Sequence, residues 1–133
     1  MDSAEFRSFV ERLGKALDAD VVDEKGELGL SLALDSGRHQ QVFLGLVQDA
    51  LDRTLLAAYA HIGDIEDIDP TAALELNSTT PYGAVALLGR RVIMRRTERL
   101  SGLDPASLAE SIQLLALNAD LIEQTLYGRR DRY

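Results

Sequence analysis

The sequence predicts an α+β domain: an antiparallel sheet of five to six strands with an N-terminal and a C-terminal helix packed on one face. Three observations carry this. Residues 3–18 and 105–126 repeat apolar side chains at the three-and-four spacing of a helix stripe. Residues 28–34 alternate leucine with small residues, which is the period of a strand that buries one face. Two pairs of strand-like segments are joined by short glycine-containing turns, DSGR and Gly89–Arg90, the short connection that only antiparallel neighbours can use.

The first helix carries Phe6, Phe9, Val10, Leu13, Ala16 and Leu17 on its stripe, with Asp2 as its cap and Glu5 three residues on. Gly14 weakens it by about 1 kcal/mol relative to Ala, so its presence predicts close packing against a neighbour. Val21 and Val22 lead into the turn DEKG, where Gly26 can take positive φ. Leu28, Leu30, Leu32 and Leu34 then define a strand. His39 to Val47 returns as its hairpin partner, with Val42, Leu44 and Leu46 on one face and Phe43 and Val47 on the other. Residues 53–62 read as a third strand from the alternation of Leu55, Ala57 and Tyr59, although their Leu and Ala content also suits a helix.

Asp69 followed by Pro70 starts a short helix that runs to about Leu76, and Pro81 keeps the chain from continuing it. Residues 84–88 and 92–100 form the second hairpin. Asp104 and Pro105 repeat the cap-then-proline start, and the last helix carries Leu108, Ile112, Leu115, Ala119, Ile122 and Leu126 on one stripe before Gly128 stops it. One domain over residues 1–128 and a basic tail at 129–133 account for the chain.

Composition narrows the function. A chain 46% hydrophobic and 27% charged is that of a globular protein, and no apolar stretch approaches the 20 or so residues of a membrane span. The N-terminus lacks the basic-then-apolar layout of a signal peptide, and cysteine is absent, so a cytoplasmic protein is expected. The net charge of −8 is uneven: residues 1–77 hold 16 acids against 6 bases, residues 78–133 hold 8 bases against 6 acids. Nucleic acid and membrane are not expected partners. An acidic surface around an apolar groove instead favours basic, amphipathic protein segments. The arginines at 90, 91, 95, 96 and 99, and again at 129, 130 and 132, could meet phosphates or an acidic protein, but read first as solvated strand faces and a basic tail.

Nothing in the sequence composes a catalytic site. His39 and His61 stand apart from any nucleophile or HExxH spacing, and the glycines stand singly at turns with no phosphate-cradling loop. The acids Asp64, Glu66, Asp67 and Asp69 fail the spacing of a Ca²⁺ loop, because the sixth position from Asp64 is Asp69 rather than Gly. No catalytic residue, cofactor or metal ligand is therefore assigned, and the protein is read as a non-enzyme. What remains is apolar surface. Phe43, Leu56, Ile62, Leu87 and Ile93 are expected on the sheet face away from the helices, and that surplus predicts a homodimer.

The helix FRSFVERLGKAL, the hairpin ELGLSLALDSGRHQQVFLGLV, the short helix ending LELN, the hairpin GAVALLGRRVIMRRTERL and the helix LAESIQLLALNADLIEQTL together resemble the type III secretion chaperone-like superfamily, which includes the Tir-chaperone and YbjN-like proteins. The resemblance spans most of the chain and implies a small acidic cytoplasmic dimer that binds protein segments. It implies a chaperone or adaptor that holds a partner's segment, such as that of a secreted effector, extended on apolar sheet surface. Leu30, Leu32, Val42, Leu44 and Leu46 are then the grip residues. The alternative within the same fold is a YbjN-like regulatory or adaptor protein with no secretion role. One departure is the middle helix, which Pro70 and Pro81 confine to about two turns, whereas in the family it is longer and joins dimer contacts.

Overall fold

The computed structural model describes residues 1–102 and 104–127, in the order α1 (Ser3–Leu17), β1 (Asp20–Glu24), β2 (Glu27–Ala33), β3 (His39–Gln48), β4 (Thr54–Asp64), a 3₁₀ turn (Ile65–Asp67), α2 (Pro70–Asn77), β5 (Ala84–Leu88), β6 (Arg91–Arg99) and α3 (Pro105–Tyr127). The six strands form one antiparallel sheet in the order β1-β2-β3-β4-β6-β5, so the fold is α+β as the periodicities require. The expected stop at Gly128 and the basic tail at 129–133 lie outside the described residues. Among the described residues, no helix is long and apolar enough to cross a membrane.

Local chemistry accounts for the element ends. Asp2 caps α1 by accepting the Glu5 amide at 2.8 Å, and Asp69 caps α2 by accepting that of Thr71 at 3.1 Å. Lys25 and Gly26, both with positive φ, close β1 onto β2 in a two-residue turn. β1 is the strand that alternation did not predict: Val21 and Val22 are too few to show a period, and pairing with β2 makes them a strand.

Helices α1 and α3 lie side by side on one face of the sheet, and α2 lies beside β5 at its margin. Beneath them Leu30, Leu32, Val42, Leu44, Leu56, Ala58, Ala60, Ile62, Val92 and Met94 meet Val10 and Leu13 of α1 and Leu108, Ile112, Leu115, Ala119 and Ile122 of α3 in one core. Gly14 is where α1 touches the sheet: a Cβ there would lie 3.0 Å from the Ala19 carbonyl oxygen and 3.1 Å from a Leu30 methyl. Leu56 and Ile62, expected on the far face, point into the core. Plain alternation along β4 places both on the same face as Ala58 and Ala60, and the register shift between His61 and Gly63 alters only the strand beyond Ile62. The buried Gln40 attends the same irregularity, its Nε2 donating to the His61 carbonyl at 3.4 Å. Leu87 also sits on the helix side, opposite Val92, and is 57% exposed because α2 is too short to cover it.

Candidate functional site

The sheet face opposite α1 and α3 is where chemistry is concentrated. Strand alternation sends Phe43, Gly45 and Val47 of β3, Leu55, Ala57, Tyr59 and His61 of β4, and Ile93 and Arg95 of β6 to that side, and the register sets them in adjoining rows: Phe43 beside Tyr59 beside Arg95, and His61 beside Ile93. The core that α1 and α3 share with the sheet lies on the opposite side, and among the described residues of the helices the first turn of α1 reaches the edge of this face.

Three rings share this surface. Phe43 stacks on Tyr59 with centroids 5.5 Å apart, and His61 lies 5.6 Å from Phe43 and 5.8 Å from Tyr59. Gly29 makes the cluster possible, because a Cβ at this position would fall 2.6 Å from the Val42 carbonyl oxygen and 3.0 Å from the Phe43 ring. Although no helix covers it, Phe43 is only 4% exposed and Ile93 2%, since the neighbouring long side chains close over them.

Those side chains form a polar chain. Arg91 places Nη1 3.0 Å from His61 Nε2 and Nη2 3.7 Å from Glu27 across the sheet on β2. A guanidinium can only donate, so His61 accepts at Nε2 and carries its proton on Nδ1. Burial first, and then the Arg91 charge, hold the imidazole below its ordinary pKa, against the opposing pull of Glu27 and Glu24. Tyr59 is pushed up to about 12, by burial first and then by hydrogen bonding to Glu27 and its charge. Near neutral pH the cluster therefore presents a protonated phenol, a neutral imidazole and a guanidinium balanced by one carboxylate.

Beside this chain runs an open groove of about 960 Å³. Its floor is made by Gly45, Ala57, Tyr59, Ala86, Ile93 and Arg95, and at the β1–β2 turn it reaches the first turn of α1. Gly45 has no atom within 4 Å of where a Cβ would stand, so the hollow above it is open. Arg95 is exposed and, like Arg99 on the same face, makes no ion pair among the described residues. The other arginines of the β5–β6 hairpin are engaged: Arg91 as described, Arg90 with Glu66, and Arg96 with Glu98 at 2.8 Å, its guanidinium 5.7 Å from the centre of the Tyr82 ring. Among the described residues no group of three His, Asp or Glu side chains is placed to hold a metal ion. Of the acidic run, Asp64 and Asp69 cap the 3₁₀ turn and α2.

Of the expected grip residues Leu44 is part of the lining of the groove, and Leu30, Leu32, Val42 and Leu46 are not. Leu30, Leu32, Val42 and Leu44 are in the core under α1 and α3, at most 5% exposed, and Leu46 packs at its margin. The helices occupy the surface those residues were expected to offer, because the leucine face of the hairpin is the side with most apolar area to bury. Phe43 and Ile93 are on the far face as expected. Glu27 and Gly45 were not foreseen, and Arg91 and Arg95 read first as solvated strand faces. Their signal was the even spacing of Arg91, Ile93, Arg95 and Arg99, which one strand must place on one side; which strand lies next to them was not written locally.

A second surface lies at the β5 margin. Leu74 is 70% exposed and stands with Leu87 beside an apolar pocket of about 340 Å³ against Ile65, Ile68 and Val85. Strand pairing on this edge is partly closed: Asn77 accepts the Val85 amide at 2.6 Å and donates to the Val85 carbonyl at 3.2 Å, acting as a side-chain stand-in for a further strand. Compared with known proteins, the chain matches no family model and no curated protein.

Proposed function

We propose that this protein is a non-catalytic, cytoplasmic chaperone or adaptor that holds an extended segment of another protein in the groove on its uncovered sheet face. The observation that supports this reading is the groove itself: an open trough about 960 Å³ in volume, floored by small, aromatic and apolar side chains and one arginine from four neighbouring strands. Such a trough accepts a chain of side chains better than a compact ligand. The polar groups beside it favour recognition over turnover. His61 is held neutral by burial first and then by Arg91, and Tyr59 is held protonated. In the same reading the protein works as a homodimer, with a second copy covering the Leu74 and Leu87 margin.

A capture experiment from the native cytoplasm tests the reading when run beside a variant that fills the trough. Gly45→Trp places an indole where a Cβ meets no atom within 4 Å, so the fold tolerates it while the groove is blocked. A partner whose binding maps to one segment, and is lost with Gly45→Trp, is the expected result. Partners retained equally by both proteins would remove the groove from the account.

A further inference from the structure

We infer that the groove selects segments that are acidic, carrying a carboxylate for Arg95 flanked by large apolar side chains. This deepens the segment-binding reading and rests on it. It also reverses the preference for basic segments that the net charge of −8 suggests, because what matters is the charge left unpaired inside the groove, not the total.

The acids at the groove are already engaged. Glu27 faces Arg91 at 3.7 Å, and Asp23 holds Arg7 at 3.2 Å. Arg95 is exposed, lines the groove and has no ion pair among the described residues, with only Tyr59 and Ala84 opposite it on the flanking strands. The unbalanced charge in the trough is thus a single guanidinium, a group that pairs well with a carboxylate in bidentate geometry.

Spacing suggests how a segment fits. Ala57, opposite Thr97, is one strand over from Arg95 and two residues along, and Gly45 continues the same row. Alternate side chains of an extended peptide point the same way about 7 Å apart. A carboxylate on Arg95 therefore sets its second neighbour above the Gly45 and Ala57 hollow, where small side chains leave room for Leu, Phe or Met. Single-stranded nucleic acid fits less well. A phosphate at every step needs a continuous basic track, whereas here one arginine is free in the groove and Glu27 stands on the rim.

The test is selection of a random decapeptide display library on the full chain, on Gly45→Trp and on Arg95→Glu, with anisotropy of a labelled dT10 oligonucleotide as a separate arm. Unchanged circular dichroism and melting temperature establish that both variants are folded. The expected pool from the parent is rich in Asp and Glu next to large apolar residues and vanishes with Gly45→Trp. Arg95→Glu shifts it toward Lys and Arg, and weakens the parent's best peptide by roughly fivefold or more. A pool with no acidic bias, or one that Arg95→Glu leaves unchanged, overturns the inference while the groove reading stands. Enrichment that survives Gly45→Trp, or no enrichment at all, overturns the groove reading and the inference with it. Oligonucleotide binding lost with Arg95→Glu, without acidic peptides in the pool, overturns the inference in favour of nucleic acid.

Discussion

At the scale of single residues, the consequential side chains satisfy backbone groups or hold charges out of water. Asn77 pairs both polar groups of Val85 from the end of α2, a contact that the strand edge would otherwise have to find in solvent or in another chain. Asn77→Ala leaves a partly buried amide and carbonyl without partners and is expected to cost about 1–3 kcal/mol in chemical denaturation. It should also make the β5 edge stickier, visible as concentration-dependent aggregation. His61 makes a pH prediction. Its folded pKa lies below the unfolded value of about 6.5, so as pH falls below that value the unfolded chain takes up the proton first. The stability it contributes is complete above about pH 6.5 and declines as the pH drops from there toward the folded pKa. Melting temperatures measured across this range should show a downward slope that His61→Phe flattens; equal slopes in both proteins would mean that the ring is not held neutral.

At the scale of elements, α3 is the best-determined piece. Its stripe was readable because an apolar residue at every third or fourth position can face only one way on a helix, and Leu108, Ile112, Leu115, Ala119 and Ile122 are all buried. Leu115 is fully buried in the middle of that stripe, so Leu115→Ala should destabilise the protein by about 2–5 kcal/mol through lost burial and the cavity left behind. Denaturant titration that shows a loss below about 1 kcal/mol would mean that the core collapses around the deletion. Arg38, in the β2–β3 turn, adds a tether by placing Nε 2.8 Å from the nearly buried carboxylate of Asp120, a close ion contact rather than an aligned hydrogen bond. The hairpins were legible for the same reason as α3. β1 was not, and neither was the bulge at Ile62, because both depend on what the neighbouring strand provides.

At the scale of the whole molecule, the layers are unequal. Two helices cover one face of a six-stranded sheet and leave Leu74 and Leu87 exposed at the margin, so a dimer formed there should have a solution mass about twice 14.6 kDa. Light scattering at micromolar concentration checks this, and Leu87→Asp should return the mass to that of one chain. A parent already at the single-chain mass would remove the dimer while leaving the groove intact.

The α+β class, the antiparallel pairing within each hairpin and the buried stripe of α3 were legible in the residues alone, because each follows from a short-range period or a turn that a few neighbouring residues set. Which side of the sheet the helices take is visible in the assembled fold alone, and with it that Leu30, Leu32, Val42 and Leu44 are core while Phe43, Tyr59 and Arg95 lie on the other face. A strand's alternation says that its two faces differ, but not which of them will be covered. That choice, like the meeting of Glu27 with Arg91 and of Tyr59 with Arg95, is made between segments far apart in the chain, where the competing burial of all six strands is resolved at once.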